Sequence, residues 1–336
     1  MRALPPIARI VGVALNAAID KTVTVDRLRP GDIHRPDVLA MVPGGKAANT
    51  VRAAAHLGIQ GAVVAVVGGR AGAWYADRLR ALGVALHAVD QPGETRTCLS
   101  VLDRSTGRLT EFYEAGLRLD ADAWRGVEQA LREALEPDPS GTLVVLAGSL
   151  PPGAPEDAYG RLGRLSSDLG ATWSVDIPGP QLLAALEASP WLVKLNEHEV
   201  LETTDAPSGS EADVVRGARR LRSGGARNVV VTRGLEGAIL VTDDGMWRYG
   251  PSPVRGLYPV GSGDALVAGL AASVARGQSL PEAVRYGSAV AAANALVPGQ
   301  GDFEADVIDE IVDGIGMSRV DQLNEPVTPR PTRSPG

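Results

Sequence analysis

Apolar runs rich in β-branched residues recur along the chain with helical stretches between them, and this alternation constrains the fold more than any other feature. Ala62–Val67, Thr142–Leu146, Trp173–Asp176, Trp191–Lys194 and Asn228–Thr232 read as strands, and the Ala-, Leu- and Arg-rich segments between them as helices. That order predicts an α/β fold, a mostly parallel sheet with helices on both faces. Two regions break the rhythm. Residues about 20–42 and 98–114 alternate polar and apolar positions, and Asp103–Gly107 fits a hairpin turn, so a small separate β-sheet is expected. With 336 residues and 44% hydrophobic content, the chain suffices for one large domain, placed at about 8–316. Residues 317–336, with Pro326, Pro329, Pro331 and Pro335 and few apolar side chains, read as a disordered Pro-rich tail.

The first motif with chemistry in it is Gly261-Ser262-Gly263-Asp264, leading into the apolar segment Ala265–Leu270. A helix beginning there aims free N–H groups and its positive dipole end at an anion, with Asp264 beside it. Glycines allow a phosphate to approach the backbone, and the carboxylate can take a hydroxyl proton while the N–H groups hold transferring charge. Read alone, the same turn is more often a structural cap than a catalytic centre.

The second motif, Pro43-Gly44-Gly45-Lys46-Ala47-Ala48-Asn49, opens an Ala-rich segment that reads as a helix through Leu57, stopped at Gly58. Lysine usage adds weight to it. Of 33 basic residues only Lys21, Lys46 and Lys194 are lysines, and a chain that otherwise uses arginine keeps lysine where a compact ammonium is required.

These two motifs, in this order, resemble the N- and C-terminal signatures of the PfkB/ribokinase family of carbohydrate kinases, and the resemblance runs from about Val11 to Gly301. Within that family the chain is most similar to the hexose-phosphate branch, through Ala14–Asp20 with Leu28–Gly31, Thr95–Thr97, Ala147–Gly153 and Lys194–Glu199. The resemblance implies a ribokinase-like fold whose small sheet closes as a lid over the sugar and, in many members, contributes a dimer contact. It implies a sugar or sugar-phosphate site at Asp20, Gly44, Gly45, Lys46, Asn49, Arg96 and Ser149. Asp20 would grip hydroxyls, and Arg96 would hold an existing phosphate through paired hydrogen bonds. It implies an ATP site at Lys194, Asn196, Thr232, Gly234, Gly237 and Asn294, the last bordering the base, and Mg²⁺ near Glu199 and Asp176. The implied reaction passes the γ-phosphoryl group to a primary hydroxyl of a phosphorylated ketohexose. Asp264 takes the proton, and the N–H groups of Gly261, Ser262 and Gly263 hold the charge.

Fructose 1-phosphate is the first acceptor so implied; tagatose 6-phosphate, fructose 6-phosphate and other sugars or cyclitols are the alternatives. Ala47 stands where the first signature usually has Gly, and Ala265 where the branch often has Ser. A ligand-sensing, degenerate kinase-fold protein is the alternative without catalysis. Other classes fit poorly. Lys46 is followed by Ala47, not the Ser or Thr of a Walker loop, and Val13–Asn16 stands where a dinucleotide fold would carry Gly-x-Gly-x-x-Gly. A net charge of −7 without a long basic tract argues against nucleic-acid binding. The lone Cys98 and the scattered His34, His56, His87 and His198 lack metal-ligand spacing and suit a reducing cytoplasm. The apolar run Ile10–Ile19, interrupted by Gly12 and Asn16, reads as a first strand rather than a signal peptide. No run approaches the ~20 apolar residues of a membrane span.

Overall fold

The computed structural model describes residues 4–206 and 209–320. The first apolar run divides into two strands of different sheets, Arg9–Ala14 (β1) and Ala18–Val25 (β2). The break falls at Asn16, whose side-chain amide donates to Ser149 Oγ at 3.0 Å and so anchors the turn. There follow Asp37–Gly44 (β3), Lys46–His56 (α1), Gln60–Val67 (β4), Gly69–Ala81 (α2), Ala85–Asp90 (β5), Arg96–Asp103 (β6) and Arg108–Tyr113 (β7). The middle of the chain forms Ala121–Leu135 (α3), Thr142–Ala147 (β8), Ala158–Asp168 (α4), Thr172–Asp176 (β9), Pro180–Leu186 (α5), Leu192–Asn196 (β10), Glu197–Thr203 (α6) and Glu211–Ser223 (α7). The last part forms Asn228–Thr232 (β11), Ala238–Thr242 (β12), Gly245–Tyr249 (β13), Ser262–Ala275 (α8), Leu280–Asn294 (α9), Ile308–Gly314 (α10) and Met317–Val320 (β14).

Ten strands make one sheet in the order β14-β13-β12-β11-β10-β9-β8-β1-β4-β5. From β11 to β5 all neighbours are parallel, and the β12, β13 and β14 edge is antiparallel. Strand order reverses at β1, which lies between β4 and β8, so the crevice for a ligand opens beyond the carboxyl ends of β1 and β8. Side chains of β1 alternate between two cores. Ile10 and Ala14 join the layer of α1, α2, α8 and α9, whereas Val11 and Val13 join that of α3, α4, α5 and α7. Helix α8 is apolar around its whole circumference because it is buried on all sides. It lies so close to α9 that a Cβ on Gly269 would sit 2.7 Å from Val290 Cγ2.

Strands β3, β2, β6 and β7 form the separate small sheet, with β6 and β7 joined by the expected hairpin at Asp103–Gly107. Gly58 follows α1 in a left-handed conformation, φ 80°, which ends the helix as anticipated. The C-terminal expectation changes at its start. Met317–Val320 pair with β13 as β14, because Met317 packs against the core and Arg319 stacks on Trp247, contacts that proline content does not reveal. Residues 321–336, the remainder of the expected tail, lie outside the described residues. No helix among the described residues is long and apolar enough to cross a membrane.

Candidate active site

The carboxyl ends of β1, β8, β9 and β10, the start of α1, the start of α8 and the inner face of the small sheet enclose a cavity of about 820 Å³. Asp20, Gly45, Lys46, Asn49, Arg96, Ser149, Asp176, Lys194, Asn196, Glu199, Gly261, Gly263 and Asp264 all line it. A second cavity, of about 780 Å³, opens at the amino ends of β8, β9 and β11, and none of the anticipated site residues reaches it.

Helix α8 starts at Gly261, which caps it in a left-handed conformation, φ 81°. A Cβ there would strike Gln300 Cβ at 2.8 Å, so glycine is required both by the backbone and by the packing. Asp264 is the third residue of the helix and only 6% exposed. The N–H groups of Gly261 and Gly263 make no hydrogen bond within the described residues and point out of the first turn. Ser262 departs from expectation. Its N–H donates to the Pro259 carbonyl at 3.1 Å and its Oγ accepts from Asn294, so it closes the turn instead of facing an anion. Gly263 has a separate duty: a Cβ on it would lie 2.2 Å from the Lys194 ammonium.

Two of the three lysines meet on one carboxylate. Lys46 Nζ lies 2.7 Å from Asp176 Oδ1 and Lys194 Nζ lies 2.8 Å from Asp176 Oδ2, at the end of β9. Burial pushes the Asp176 carboxyl up, but Lys194 and then Lys46 outweigh it and hold it at about 2. Lys46 also stands 3.6 Å from Glu199 Oε1. The other Glu199 oxygen accepts from the Asn196 N–H at 2.8 Å, and Asn196 Oδ1 accepts from the Glu199 N–H at 2.9 Å. This is a capping box that starts α6.

On the lid side Asp20, in β2, fills the space where a Gly44 side chain would be, its carboxyl 2.1 Å from that Cβ position. Asn49, one turn into α1, donates from the same amide nitrogen to Asp20 Oδ2 at 3.3 Å and Asp264 Oδ2 at 3.2 Å. Burial raises both carboxyls. For Asp264 the neighbouring charge of Asp176 adds to burial, against Lys46, Lys194 and the Asn49 bond, and places it at about 7. That value is poised for proton transfer near neutrality. Arg96, at the start of β6, donates to the carbonyls of Glu114 and Asn16 at 3.2 and 3.1 Å, and Ser149 accepts from Asn16.

The residues anticipated for the nucleotide divide. Thr232 pairs in register with Asn196, and Gly234 and Gly237 follow it with positive φ, all beyond the cavity along the ends of β10 and β11. Asn294 does not border an open site. It is fully buried and braces the turn, donating to Val260 O and Ser262 Oγ and accepting from the Gly301 N–H. Helix packing behind α8 leaves its amide no route to solvent. Sequence reasoning missed Gln300, which lines the cavity between two positive-φ glycines, and Arg52, a guanidinium buried in the Ala-rich helix α1. The signal for Arg52 was its place within an alanine run, where a solvated helix face would carry several polar residues.

A base under a helix N-terminus, buried ammonium groups and a lid-borne carboxylate, gathered at the switch point of a doubly wound sheet, define a small-molecule phosphotransferase. The chain belongs to the pfkB family of carbohydrate kinases, whose model matches residues 11–306, and it is accordingly a phosphotransferase acting on a sugar hydroxyl. It is 37% identical over 269 residues to the 1-phosphofructokinase of Xanthomonas campestris pv. campestris, covering 79% of this chain and 83% of that one. It is 31% identical over 295 residues to the ATP-dependent 6-phosphofructokinase isozyme 2 of Escherichia coli, covering 87% and 94%. The crystal structure of phosphofructokinase-2 from Escherichia coli in complex with substrates and products superposes with a TM-score of 0.83 at 29% identity, covering 91% and 98%.

Proposed function

We propose that the protein transfers the γ-phosphoryl group of ATP to a primary hydroxyl of a phosphorylated ketohexose, with fructose 1-phosphate as first acceptor. The observation that carries this reading is the bridge from Asp20 through Asn49 to Asp264, two buried carboxylates on one amide, which supports one gripping a hydroxyl and the other taking its proton. A sugar hydroxyl held between them gives its proton to Asp264 as its oxygen attacks in line, and the Gly261 and Gly263 N–H groups hold the charge on the transferring group. Lys194 lies beside the same turn, where it can turn from Asp176 toward a nucleotide phosphate, and Lys46, on the other oxygen of Asp176, can turn toward the phosphate of the acceptor.

Among the described residues no three His, Cys, Asp or Glu side chains are grouped to hold a metal ion. Two carboxylates, Asp176 at the end of β9 and Glu199 in the first turn of α6, line the cavity and suit Mg²⁺, which takes one or two carboxylates and draws its other ligands from water and phosphate. Glu199 and Asp176 would hold it, and when bound it would neutralise charge on the phosphate oxygens. Arg96 on the lid side supports an acceptor that already carries phosphate. A second reading, an unphosphorylated hexose or polyol, draws on Glu111, whose carboxylate lines the same lid face and opposes a second anion. The test is ADP formation from ATP and Mg²⁺ with fructose 1-phosphate, tagatose 6-phosphate, fructose 6-phosphate, fructose and ribose. Turnover on fructose 1-phosphate at least tenfold above the others is the expected result. Preference for a neutral sugar would establish the second reading, and ligand binding without turnover on any acceptor would overturn both.

The same proposal includes one kinase domain, expected over residues 8–316 and extended by β14 to 320, a cytoplasmic setting and a homodimer made through the lid. On the outer lid face, register places Met41, Lys21, Leu99 and Phe112 in one row. Met41 is 42% and Phe112 53% exposed, with Val38 nearby at 58%. Such an apolar surface suits a second copy of the sheet. Sedimentation at twice the monomer mass is expected, and replacing Phe112 and Met41 by Lys should return the monomer.

A further inference from the structure

Arg52 is 1% exposed, and the structure assigns it three partners that no single element could supply. Its Nη1 donates to the Pro43 carbonyl at 3.3 Å and to the Gln300 carbonyl at 2.5 Å, and its Nη2 is paired with Asp302. Pro43 is the penultimate residue of the lid strand β3, just before Gly44, against which the Asp20 carboxyl rests; the next carbonyl, of Gly44, accepts from Tyr75 at 3.2 Å. Gln300 packs under Gly261, the residue that caps α8 and offers an anion-hole N–H. Gly301 is pressed against the Asn49 carbonyl and tied through Asn294 to Val260 and Ser262. One guanidinium thus spans the acceptor-gripping half of the site and the support of the anion-hole half.

Burying a guanidinium is costly, and a core helix position would be filled more cheaply by an aliphatic residue. A rigid fork with several donors in one plane does what neither lysine nor leucine can: it fixes two backbone segments at a set separation. We propose that Arg52 is a positioning residue that holds the Asp20–Gly44 wall and the Gly261 turn in register, so that the acceptor hydroxyl, rather than water, meets the γ-phosphoryl group. The proposal rests on the kinase reading above. It predicts a loss that folding alone does not produce. If the two walls drift apart, the Pγ–O bond to the nucleoside diphosphate still breaks, but the new Pγ–O bond forms to water and inorganic phosphate is released in place of phosphorylated sugar.

The test compares full-length wild type, Arg52→Lys, Arg52→Met and Asp302→Asn at saturating ATP and acceptor, measuring ADP and phosphorylated sugar separately. Wild type should give one ADP per phosphorylated sugar. Arg52→Lys should phosphorylate sugar about 10²-fold more slowly, the scale of a misplacement near 1 Å, with ADP exceeding sugar product several-fold and nucleotide affinity unchanged. Asp302→Asn should show the same uncoupling more weakly, and it serves with Arg52→Lys where Arg52→Met does not fold. A lower rate with the ratio held at one in every folded variant would overturn the proposal, since a partly unfolded population keeps the stoichiometry of its native fraction. Absence of acceptor turnover by the wild type would instead overturn the kinase reading, and this inference with it.

Discussion

Replacing Asp264 by Asn is expected to leave a folded protein that binds nucleotide but turns over on the order of 10³ to 10⁴-fold more slowly, near the full contribution of a general base. The side chain keeps its shape, and the partner amide of Asn49 remains in place, so the loss is chemical. The pH profile of the wild type carries the same argument. Asp264 must be ionised to take a proton, and burial together with the Asp176 charge sets its carboxyl at about 7. Hence kcat/KM should rise with pH and level off above about 7. Linkage fixes a second sign. An acid whose affinity for protons is raised by folding contributes stability that is fully present below its unfolded value of 3.8 and lost as pH rises through about 7. Asn at this position escapes that loss, so the variant should melt higher than wild type at pH 8. Near-normal turnover by the variant, or a wild-type profile flat from pH 5 to 8, would remove Asp264 from its role.

Asp176→Asn should act in the opposite direction on stability. The Lys194 side chain is 7% exposed and Asp176 is its ion-pair partner, so removing the carboxylate leaves a buried ammonium with only Asp264 to offset it, a change that costs about 3 kcal/mol, the low end for a broken buried pair. Lys46 keeps Glu199 at 3.6 Å and a more solvated position, and therefore adds little to the loss. The rate profile supplies an independent reading. With the negative charge gone, Lys46 and Lys194 both act on Asp264 unopposed, and its acid limb should move to lower pH. Denaturant unfolding measures the first effect and kcat/KM against pH the second. An acid limb that stays near 7 would show that Asp176 does not shape the proton affinity of Asp264.

Much of this architecture was legible in residue order. Strand runs fully buried in a parallel sheet are apolar throughout, so they stand out in any window, and the two glycine-rich turns announce helix starts that open on the cavity. The scarcity of lysine pointed to Lys46 and Lys194, and the two converge on Asp176. What stayed hidden depends on partners distant in the chain. The run through Asn16 reads as one strand until Ser149, more than a hundred residues later, draws the turn aside. Ser262 looks like an anion donor until its N–H is seen to close on Pro259. Asn294 lies in a helix whose outward face reverses once α9 packs against α8. Arg52 passes unremarked in the sequence because nothing nearby announces Asp302 or Gln300.

The Asn49 amide nitrogen has two hydrogens, and both are committed, one to Asp20, the carboxylate proposed to grip the acceptor, and one to Asp264, the proposed base. An acceptor that draws Asp20 onto its own hydroxyls loosens the first bond and leaves the amide to the second. A poor ligand leaves the sharing as it was. Recognition and reactivity therefore meet on one side chain. In this reading a sugar that fits well leaves the amide to Asp264, which keeps more of that carboxylate ionised, and one that fits badly finds more of it protonated and unable to take a proton.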